Sequence, residues 1–252
     1  MSEPAVTPVS QPPQVGRQID AVIFDFGGVL ASNGRPTDVA KRFPNDPVDK
    51  VMKVMMGDYG QDTDHPWHRL ERGEISMLEY REQLAPLVIE AGLHMSEGAL
   101  LPPPASSSTA NSSTASSSTA NSSMTQGQSS IGFAFEPNHS VIDLVHELKS
   151  SGFRLGVLTN NVRELRHAWW PMLDFANIFD DVVDSHEVGM RKPNRAIYEL
   201  ALNRLGVEAH RAAFLDDAQS NVDAASALGI HGIWVDIDPT QAVHSVRQLA
   251  NL

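Results

Sequence analysis

The clearest hydrophobic pattern near the start of the chain is a short apolar run that ends in a carboxylate. Residues 21–24 are Ala, Val, Ile and Phe, and Asp25 follows them directly, before Gly27 and Gly28. A run this short, with β-branched and aromatic residues, predicts a buried strand rather than a helix. The two glycines permit a sharp turn that brings the backbone close to a ligand. Asp25 is therefore expected at the carboxyl edge of a parallel sheet, where ligands bind.

A helical pattern occupies the stretch after this strand, over residues 37–94. Apolar residues recur there at spacings of three and four, as at Val51 and Met55. Ser76, with Glu79 three residues later, has the spacing of a capping box at the start of a helix. Because no strand pattern interrupts the region, we expect a small helical subdomain inserted directly after the first strand.

Two segments have compositions that cannot build a core. Residues 105–123 repeat a ten-residue pattern of Ser, Thr, Ala and Asn, behind three consecutive prolines at 102–104. Such a segment is expected to be an unstructured linker. Residues 1–17 carry four prolines and few large apolar side chains, so they are expected to form a disordered tail.

Strand and helix patterns alternate from about residue 137 to the end of the chain. The predicted strands lie at 153–158, 182–184, 212–215 and 231–235, and the predicted helices lie at 138–150, 162–173, 193–205 and 221–228. With the strand at 21–24, five strands alternate with helices, which predicts an α/β fold with a doubly wound parallel sheet. The predicted divisions are a tail at 1–17, core at 18–31, a helical cap at 32–100, a linker at 101–135 and core at 136–252.

Carboxylates follow two of the predicted strands, at what would be the same edge of the sheet. Asp25 ends the first strand, and Asp216 and Asp217 end the fourth. Carboxylate and carbonyl oxygens are the ligands that Mg²⁺ prefers in proteins. The aspartate pair could instead cap the following helix, which is a common use of this residue.

Candidate phosphate ligands follow the other two strands that lead into this edge. Thr159 and Asn160 come after the second strand, and Lys192 lies in the loop after the third. A hydroxyl, an amide and a fixed ammonium group can hold phosphate oxygens, and the positive end of a following helix would assist them. Each feature alone could belong to an ordinary turn or surface. Four such features in one strand order favour a binding site.

These motifs, in this order, resemble those of the haloacid dehalogenase-like (HAD) hydrolase superfamily. The matching segments are 25–29, 158–161, 189–193, and 214–217 with Asn221. The resemblance covers residues 19–236 apart from the repeat. Within the superfamily the chain is similar to the group that includes the N-terminal phosphatase domain of soluble epoxide hydrolase. The resemblance implies a Rossmann-like core with an inserted helical cap. No counterpart of the epoxide-opening domain is expected in this chain.

The resemblance also implies a chemistry, which is hydrolysis of a small phosphorylated metabolite with Mg²⁺ as cofactor. An aspartate would attack phosphorus, and water would hydrolyse the resulting aspartyl-phosphate. The cap would select the substrate and exclude water. The implied site residues are Asp25 as nucleophile; Asp25, Gly27, Asp216 and Asp217 for the metal; and Thr159, Asn160 and Lys192 for the phosphate.

One position departs from the pattern of phosphatases in this superfamily. They usually carry a second Asp two residues after the nucleophile, as general acid and base, and this chain has Gly27 there. Losing such a group typically costs about 10²–10⁴-fold in rate. The candidate substitutes are His65, His68, Glu71 and His186. Two alternatives stay open: a catalytically weakened protein that binds a phosphorylated ligand or a partner, and a metal-independent dehalogenase, although the adjacent aspartates argue against the latter.

Composition narrows the expected partners and location. The chain has 19 Lys and Arg against 31 Asp and Glu, a net charge of −12 that argues against general nucleic-acid binding. It has no cysteine, which excludes disulfides, zinc-thiolate sites and thiol catalysis. It shows no signal pattern and no run of about 20 apolar residues. We expect a soluble cytoplasmic protein without nucleic-acid or membrane partners, whose oligomeric state the sequence does not predict.

Overall fold

The computed structural model describes residues 16–32, 43–94 and 135–252, and its centre is a five-stranded parallel sheet. The strands are β1 Ala21–Phe24, β2 Ala31–Ser32, β3 Glu136–Pro137, β4 Arg154–Thr159, β5 Asp181–Asp184, β6 Ala212–Asp216 and β7 His231–Trp234. The order in the large sheet is β5-β4-β1-β6-β7, and each neighbouring pair is parallel. This arrangement confirms the predicted doubly wound α/β fold.

The helices largely follow the predicted alternation. They are α1 Val48–Met56, α2 Pro66–Glu71, α3 Met77–Glu90, α4 His139–Ser150, α5 Arg166–Trp169, α6 Phe175–Ile178, α7 Ser185–Val188, α8 Arg195–Leu205, α9 Gln219–Ser226 and α10 Thr240–Ala250, with 3₁₀ turns at Arg163–Leu165, Trp170–Met172 and Ala209–Arg211. The single helix predicted over 162–173 is divided into a 3₁₀ turn, α5 and a second 3₁₀ turn. Pro171 lies where α5 would continue, and its ring nitrogen has no hydrogen to donate.

Helices cover both faces of the large sheet, because successive residues of a strand point to opposite sides. Val22 and Phe24 belong to the apolar cluster formed with α4 and α10, whereas Ala21 and Ile23 belong to the cluster formed with α8 and α9. Each of these four side chains is at most 1% exposed. β1 is therefore the central strand, and Asp25 follows it in the middle of the carboxyl edge.

Three helices, α1 to α3, pack together between β2 and β3, and we call residues 43–94 the helical insert. The Tyr80 hydroxyl donates to the Met55 carbonyl at 2.8 Å, which ties α3 to α1. The predicted capping box is present at the start of α3. The Ser76 hydroxyl accepts from the Glu79 amide at 3.3 Å, and the Glu79 carboxylate accepts from the Ser76 amide at 2.7 Å.

A short antiparallel pair of strands joins the chain before and after the helical insert. β2 pairs with β3, with Ala31 opposite Pro137 and Ser32 opposite Glu136. The pair is not predicted from the sequence, because strands of two residues are too short to show an alternation. Parts of three predicted segments lie outside the described residues. They are most of the tail, all of the linker except its last residue, and the outer parts of the cap. Within the described ranges, no helix is long and apolar enough to cross a bilayer.

Candidate functional site

The carboxyl edge of the large sheet gathers charged side chains around one buried lysine. Lys192 Nζ lies 2.9 Å from Asp25 Oδ1 and 2.7 Å from Asp216 Oδ2. The same ammonium group donates to the Leu158 carbonyl at 2.9 Å, at the end of β4. Lys192 and Asp216 are both 0% exposed. Three of the sequence-predicted site residues thus meet in one charge-assisted hydrogen-bond network.

Asp25 is held by one of its two carboxylate oxygens. Oδ1 accepts from the Phe26 amide at 2.6 Å in addition to its contact with Lys192. Oδ2 has no hydrogen-bond partner within the described residues. Burial raises the pKa of Asp25 to about 8, the Lys192 charge opposes that rise, and the charges of Asp216 and Asp217 add to it. The carboxylate is therefore oriented, with one oxygen available for chemistry.

The two adjacent aspartates after β6 have different surroundings. The Asp216 carboxylate accepts from Lys192, from the Ala218 amide at 2.8 Å and from the Asn221 side chain at 3.0 and 3.1 Å. Asp217 is exposed at the mouth of the site, and its carboxylate accepts no hydrogen bond from another residue in the described part of the chain. The surrounding protein, which limits hydration of the carboxylate, and the charge of Asp216 raise the pKa of Asp217 to about 6. Asp216 is fixed in place, whereas Asp217 is available to a ligand.

Three carboxylates are close enough to hold one metal ion. Ligand atoms of Asp25, Asp216 and Asp217 lie within 4.8 Å of one another. Three carboxylates against the single ammonium of Lys192 leave the cluster negative, which suits a hard divalent cation. The fourth predicted ligand is the carbonyl of Gly27. The turn that contains it lies close to Asp217, as shown by the clash that a Cβ at Gly28 would make with the Asp217 carboxylate. The residues present therefore fit Mg²⁺.

The two predicted phosphate residues at the end of β4 are both at the site but differ in their contacts. Thr159 is 2% exposed, and its hydroxyl has no hydrogen-bond partner among residues of the described ranges. The Asn160 amide group instead binds the main chain of Lys192 twice. Its Oδ1 accepts from the Lys192 nitrogen at 2.8 Å, and its Nδ2 donates to the Lys192 carbonyl at 3.0 Å. The Thr159 hydroxyl is free for a ligand, whereas the Asn160 side chain positions Lys192.

The four candidate proton donors also have different surroundings. His65 accepts a capping hydrogen bond at the start of α2, His68 is buried with its pKa lowered to about 4 chiefly by burial, and Glu71 is paired with a buried arginine. His186 Nδ1 lies 2.7 Å from the Asp184 carboxylate, which orients the imidazole. Its Nε2 has no hydrogen-bond partner among the described residues. His68 Nε2 also lacks a partner in the described part of the chain, but His68 is 0% exposed and burial disfavours its protonated form. Of the four, His186 therefore combines an oriented ring with an unpartnered nitrogen.

Arg191 lies beside the site, within the matching segment 189–193, and has no role predicted from the sequence. Its Nε lies 2.7 Å from Glu71 Oε2, and both side chains are buried. A terminal nitrogen of Arg191 donates to the Gln61 carbonyl. Its place in the segment 189–193 was the only signal in the sequence, because its partners lie in the helical insert, more than a hundred residues earlier.

Comparison with protein families and curated proteins agrees with these motifs. A family model described as haloacid dehalogenase-like hydrolase matches residues 127–229. A phosphatase of glyceraldehyde 3-phosphate from Methanothermobacter thermautotrophicus is 35% identical over 97 residues, which are 38% of this chain and 43% of the phosphatase. The rat protein bifunctional epoxide hydrolase 2 is 31% identical over 104 residues, or 39% of this chain and 18% of that protein. The chain belongs to the HAD-like hydrolase superfamily.

Other similar proteins extend the similarity over almost the whole chain. Mouse acyl-CoA dehydrogenase family member 10 is 32% identical over 237 residues, which are 93% of this chain and 19% of the mouse protein. A predicted HAD-like family hydrolase from Porphyromonas gingivalis has 22% identity and a TM-score of 0.60, covering 92% of this chain and 98% of its own. A Bacteroides thetaiotaomicron HAD family enzyme, solved with magnesium and inorganic phosphate, has 18% identity and a TM-score of 0.55, covering 87% and 96%.

These comparisons settle the superfamily and the fold. They also confirm the expected similarity to the epoxide hydrolase group. The two solved structures show the fold alone, because their identities are low. The chain spans less than half the length of each of the three curated relatives.

Proposed function

We propose that this protein is a Mg²⁺-dependent phosphohydrolase that acts on a small phosphorylated metabolite. The observation that carries the proposal is the buried contact of 2.9 Å between Lys192 and Asp25, which is one of three carboxylates whose ligand atoms lie within 4.8 Å of one another. Phosphoryl transfer needs a positioned nucleophile, a fixed positive charge and a metal site in one place. A relative that is named as a phosphatase of glyceraldehyde 3-phosphate supports this chemistry.

Asp25 is the proposed nucleophile. Because Lys192 and the Phe26 amide both hold Oδ1, Oδ2 is the oxygen that would attack phosphorus. The new bond joins Oδ2 to phosphorus while the bond to the leaving oxygen breaks. A water molecule then attacks the phosphorus of the aspartyl-phosphate, which releases inorganic phosphate and restores the carboxylate.

The remaining site residues have proposed roles in binding. Asp25, the Gly27 carbonyl and Asp217 would hold Mg²⁺, with Asp216 beside them; when bound, the ion neutralises charge on the phosphate. The Thr159 hydroxyl and the Lys192 ammonium would contact phosphoryl oxygens and stabilise the charge that shifts in the transition state. Asn160 would serve the same phosphate site through its two hydrogen bonds to Lys192.

The helical insert is the proposed cap over this site. Tyr59 belongs to the insert, and its pKa is raised well above the ordinary value mainly by burial, with further contributions from the charges of Glu71 and Asp25. That electrostatic effect supports a position of the insert next to the nucleophile. A cap in this position would exclude water and select the substrate.

The direct test is release of inorganic phosphate from a panel of phosphorylated metabolites and one chromogenic aryl phosphate. We expect release with Mg²⁺ and none with a chelator. Release that is unaffected by the chelator would contradict metal dependence. Chloride release from a 2-chloroacid in the presence of the chelator would instead support the dehalogenase alternative.

A second candidate function is favoured by one residue, Gly27. A glycine side chain cannot exchange a proton, so turnover would be slow unless another group supplies one. His186 is the proposed substitute, since its Nε2 is without a partner among the described residues and Asp184 orients its ring. A protein that binds phosphorylated ligands in the presence of Mg²⁺ but releases no phosphate would fit the weakened alternative.

We expect Mg²⁺ to stabilise the folded protein, whether or not a substrate is known. A cation at 100 times its Kd adds about 2.7 kcal/mol to the free energy of unfolding. Asp217→Asn should remove most of this gain, because the Asp217 carboxylate has no other partner in the described part of the chain. The measurement is thermal unfolding over a MgCl₂ titration.

The matched control for this titration is Asp223→Asn. Asp223 is another exposed aspartate nearby in sequence, and it accepts a hydrogen bond from Gln219 at 2.7 Å. This variant should keep the full response to Mg²⁺. Equal responses in wild type and Asp217→Asn would contradict the proposed metal site.

A further inference from the structure

Arg191 belongs to a core loop, but its side chain is enclosed by the cap. Its Nε lies 2.7 Å from Glu71 Oε2, and a terminal nitrogen donates to the Gln61 carbonyl. The guanidinium carbon also lies 5.2 Å from the centre of the Tyr59 ring, within reach of a cation–π interaction. All three partners belong to the cap. The cap therefore binds this one core side chain through an ion pair, a main-chain carbonyl and an aromatic ring.

The next residue along the chain, Lys192, is bound just as firmly to the core. Asn160 holds both its main-chain nitrogen and its carbonyl, at 2.8 and 3.0 Å. Its ammonium group contacts Asp25 and Asp216. One peptide bond separates these core contacts from the cap contacts of Arg191. A shift of Arg191 with the cap would therefore strain the hydrogen bonds that hold Lys192.

A second contact joins the cap to the same loop. Asn194 Nδ2 donates to Asp62 Oδ2 at 3.2 Å, and Asp62 in turn pairs with Arg72. Gly73 of the cap packs so tightly against the core segment before this loop that a Cβ at Gly73 would clash with the His186 carbonyl. The cap thus contacts the chain both before and after Lys192.

The Glu71–Arg191 pair is the contact in this set that favours a single cap position most strongly. Glu71 is 1% exposed and Arg191 is 0% exposed, so each charge depends on the other. A buried charge without its partner is costly. When the cap opens, both groups must separate and become hydrated together. The two charges are therefore compensated either by each other, when the cap is closed, or by water, when both side chains are hydrated.

We infer that Arg191 is a positioning residue that couples closure of the cap to the position of Lys192 at Asp25. The inference rests on the proposed function, because it assigns the insert the role of a cap. Arg191 does not itself need to touch the substrate. Closure would seat Arg191 against Glu71 and fix the neighbouring ammonium group where phosphate binds.

The test is hydrogen–deuterium exchange of Glu71→Gln without substrate. This variant keeps an acceptor for Arg191 but removes the charge, so the protein should fold. Loss of a charge-assisted hydrogen bond should speed exchange about tenfold or more, in α2 and also in the core loop 189–194. Glu71→Asp, which keeps the charge on a shorter side chain, should show a smaller increase. On the aryl phosphate, Glu71→Gln should lower kcat more than it raises KM.

The matched control is Asp20→Asn. It weakens an ion pair of similar length, between Asp20 and Arg211 at 2.7 Å, which lies at the opposite edge of the sheet. Exchange in the cap and in loop 189–194 should stay at the wild-type rate. Faster exchange in α2 alone, or the same increase in Asp20→Asn, would overturn the coupling. The exchange measurement gives this answer even if the wild type releases no phosphate, so failure of the inference and failure of the proposed function are told apart.

Discussion

Asp25→Asn is expected to abolish phosphate release, with kcat lowered by at least about 10⁴-fold. The amide has the size of the carboxylate and can still accept from Lys192 and the Phe26 amide, but it is not a nucleophile toward phosphorus. Steady-state release from the best substrate of the panel, with Mg²⁺ present, is the measurement. A variant that keeps more than about one hundredth of the wild-type kcat would show that another group attacks phosphorus.

The same substitution should make the metal-free protein more stable relative to wild type as the pH rises. The pKa of Asp25 is about 8 in the folded protein against an ordinary value of 3.8, chiefly because of burial. Between these two values the unfolded chain binds fewer protons than the folded protein, so the contribution of Asp25 to stability falls with rising pH. The asparagine side chain of the variant does not titrate. The difference in unfolding free energy between variant and wild type should therefore grow from pH 4 to pH 8.

Asp20→Asn is the matched control for both effects. Asp20 precedes β1 and Asp25 follows it, so the two changes are identical in chemistry and lie at opposite ends of one strand. Arg211 is the main cause that lowers the pKa of Asp20, which is the opposite direction from Asp25. This variant should keep kcat, and it should lose stability relative to wild type above the ordinary pKa of aspartate. The same change in kcat and in the pH dependence of stability in both variants would contradict the assignment of Asp25 as the buried nucleophile.

The parts of the fold that the sequence predicts are those with a strong local cause. The strand at residues 21–24 is buried on both faces. Its sequence is therefore a continuous apolar run, without the alternation of apolar and polar residues that is typical of a half-exposed strand. The capping box of Ser76 and Glu79 predicts the start of α3 correctly because both hydrogen bonds form within one helical turn. The helix predicted over 162–173 is interrupted at Pro171, because the proline ring nitrogen has no hydrogen to donate to a continuing helix.

The parts of the site that escape prediction depend on contacts between distant residues. Asp216 and Asp217 are adjacent and identical in type, yet one is saturated with hydrogen bonds and the other is exposed. Asn160 is predicted as a phosphate residue from its type and its position after a strand, and its side-chain amide binds the main chain of Lys192, 32 residues away. A local pattern identifies which residue types reach the carboxyl edge, but tertiary structure decides which of their atoms remain free.

Lys192→Met is expected to be the most destabilising single change at the site, by about 3–5 kcal/mol. The methionine fills a similar volume but leaves the buried Asp216 and the neighbouring Asp25 without their shared cation. It should also lower kcat by about 10²–10³-fold, because the ammonium group is a preorganised donor to the phosphate. Urea unfolding at neutral pH without Mg²⁺ measures the first effect, and aryl phosphate turnover measures the second.

Lys149→Met separates this effect from the general loss of a lysine. Lys149 pairs with Asp180 at 3.0 Å, but its side chain is 37% exposed, so its loss should cost less than about 1 kcal/mol. Adding Asp216→Asn to Lys192→Met should recover part of the lost stability, because the uncompensated buried charge is then removed, but it should not recover activity. Equal stability of Lys192→Met and Lys149→Met would contradict the conclusion that the buried network holds the two carboxylates together at the ends of β1 and β6.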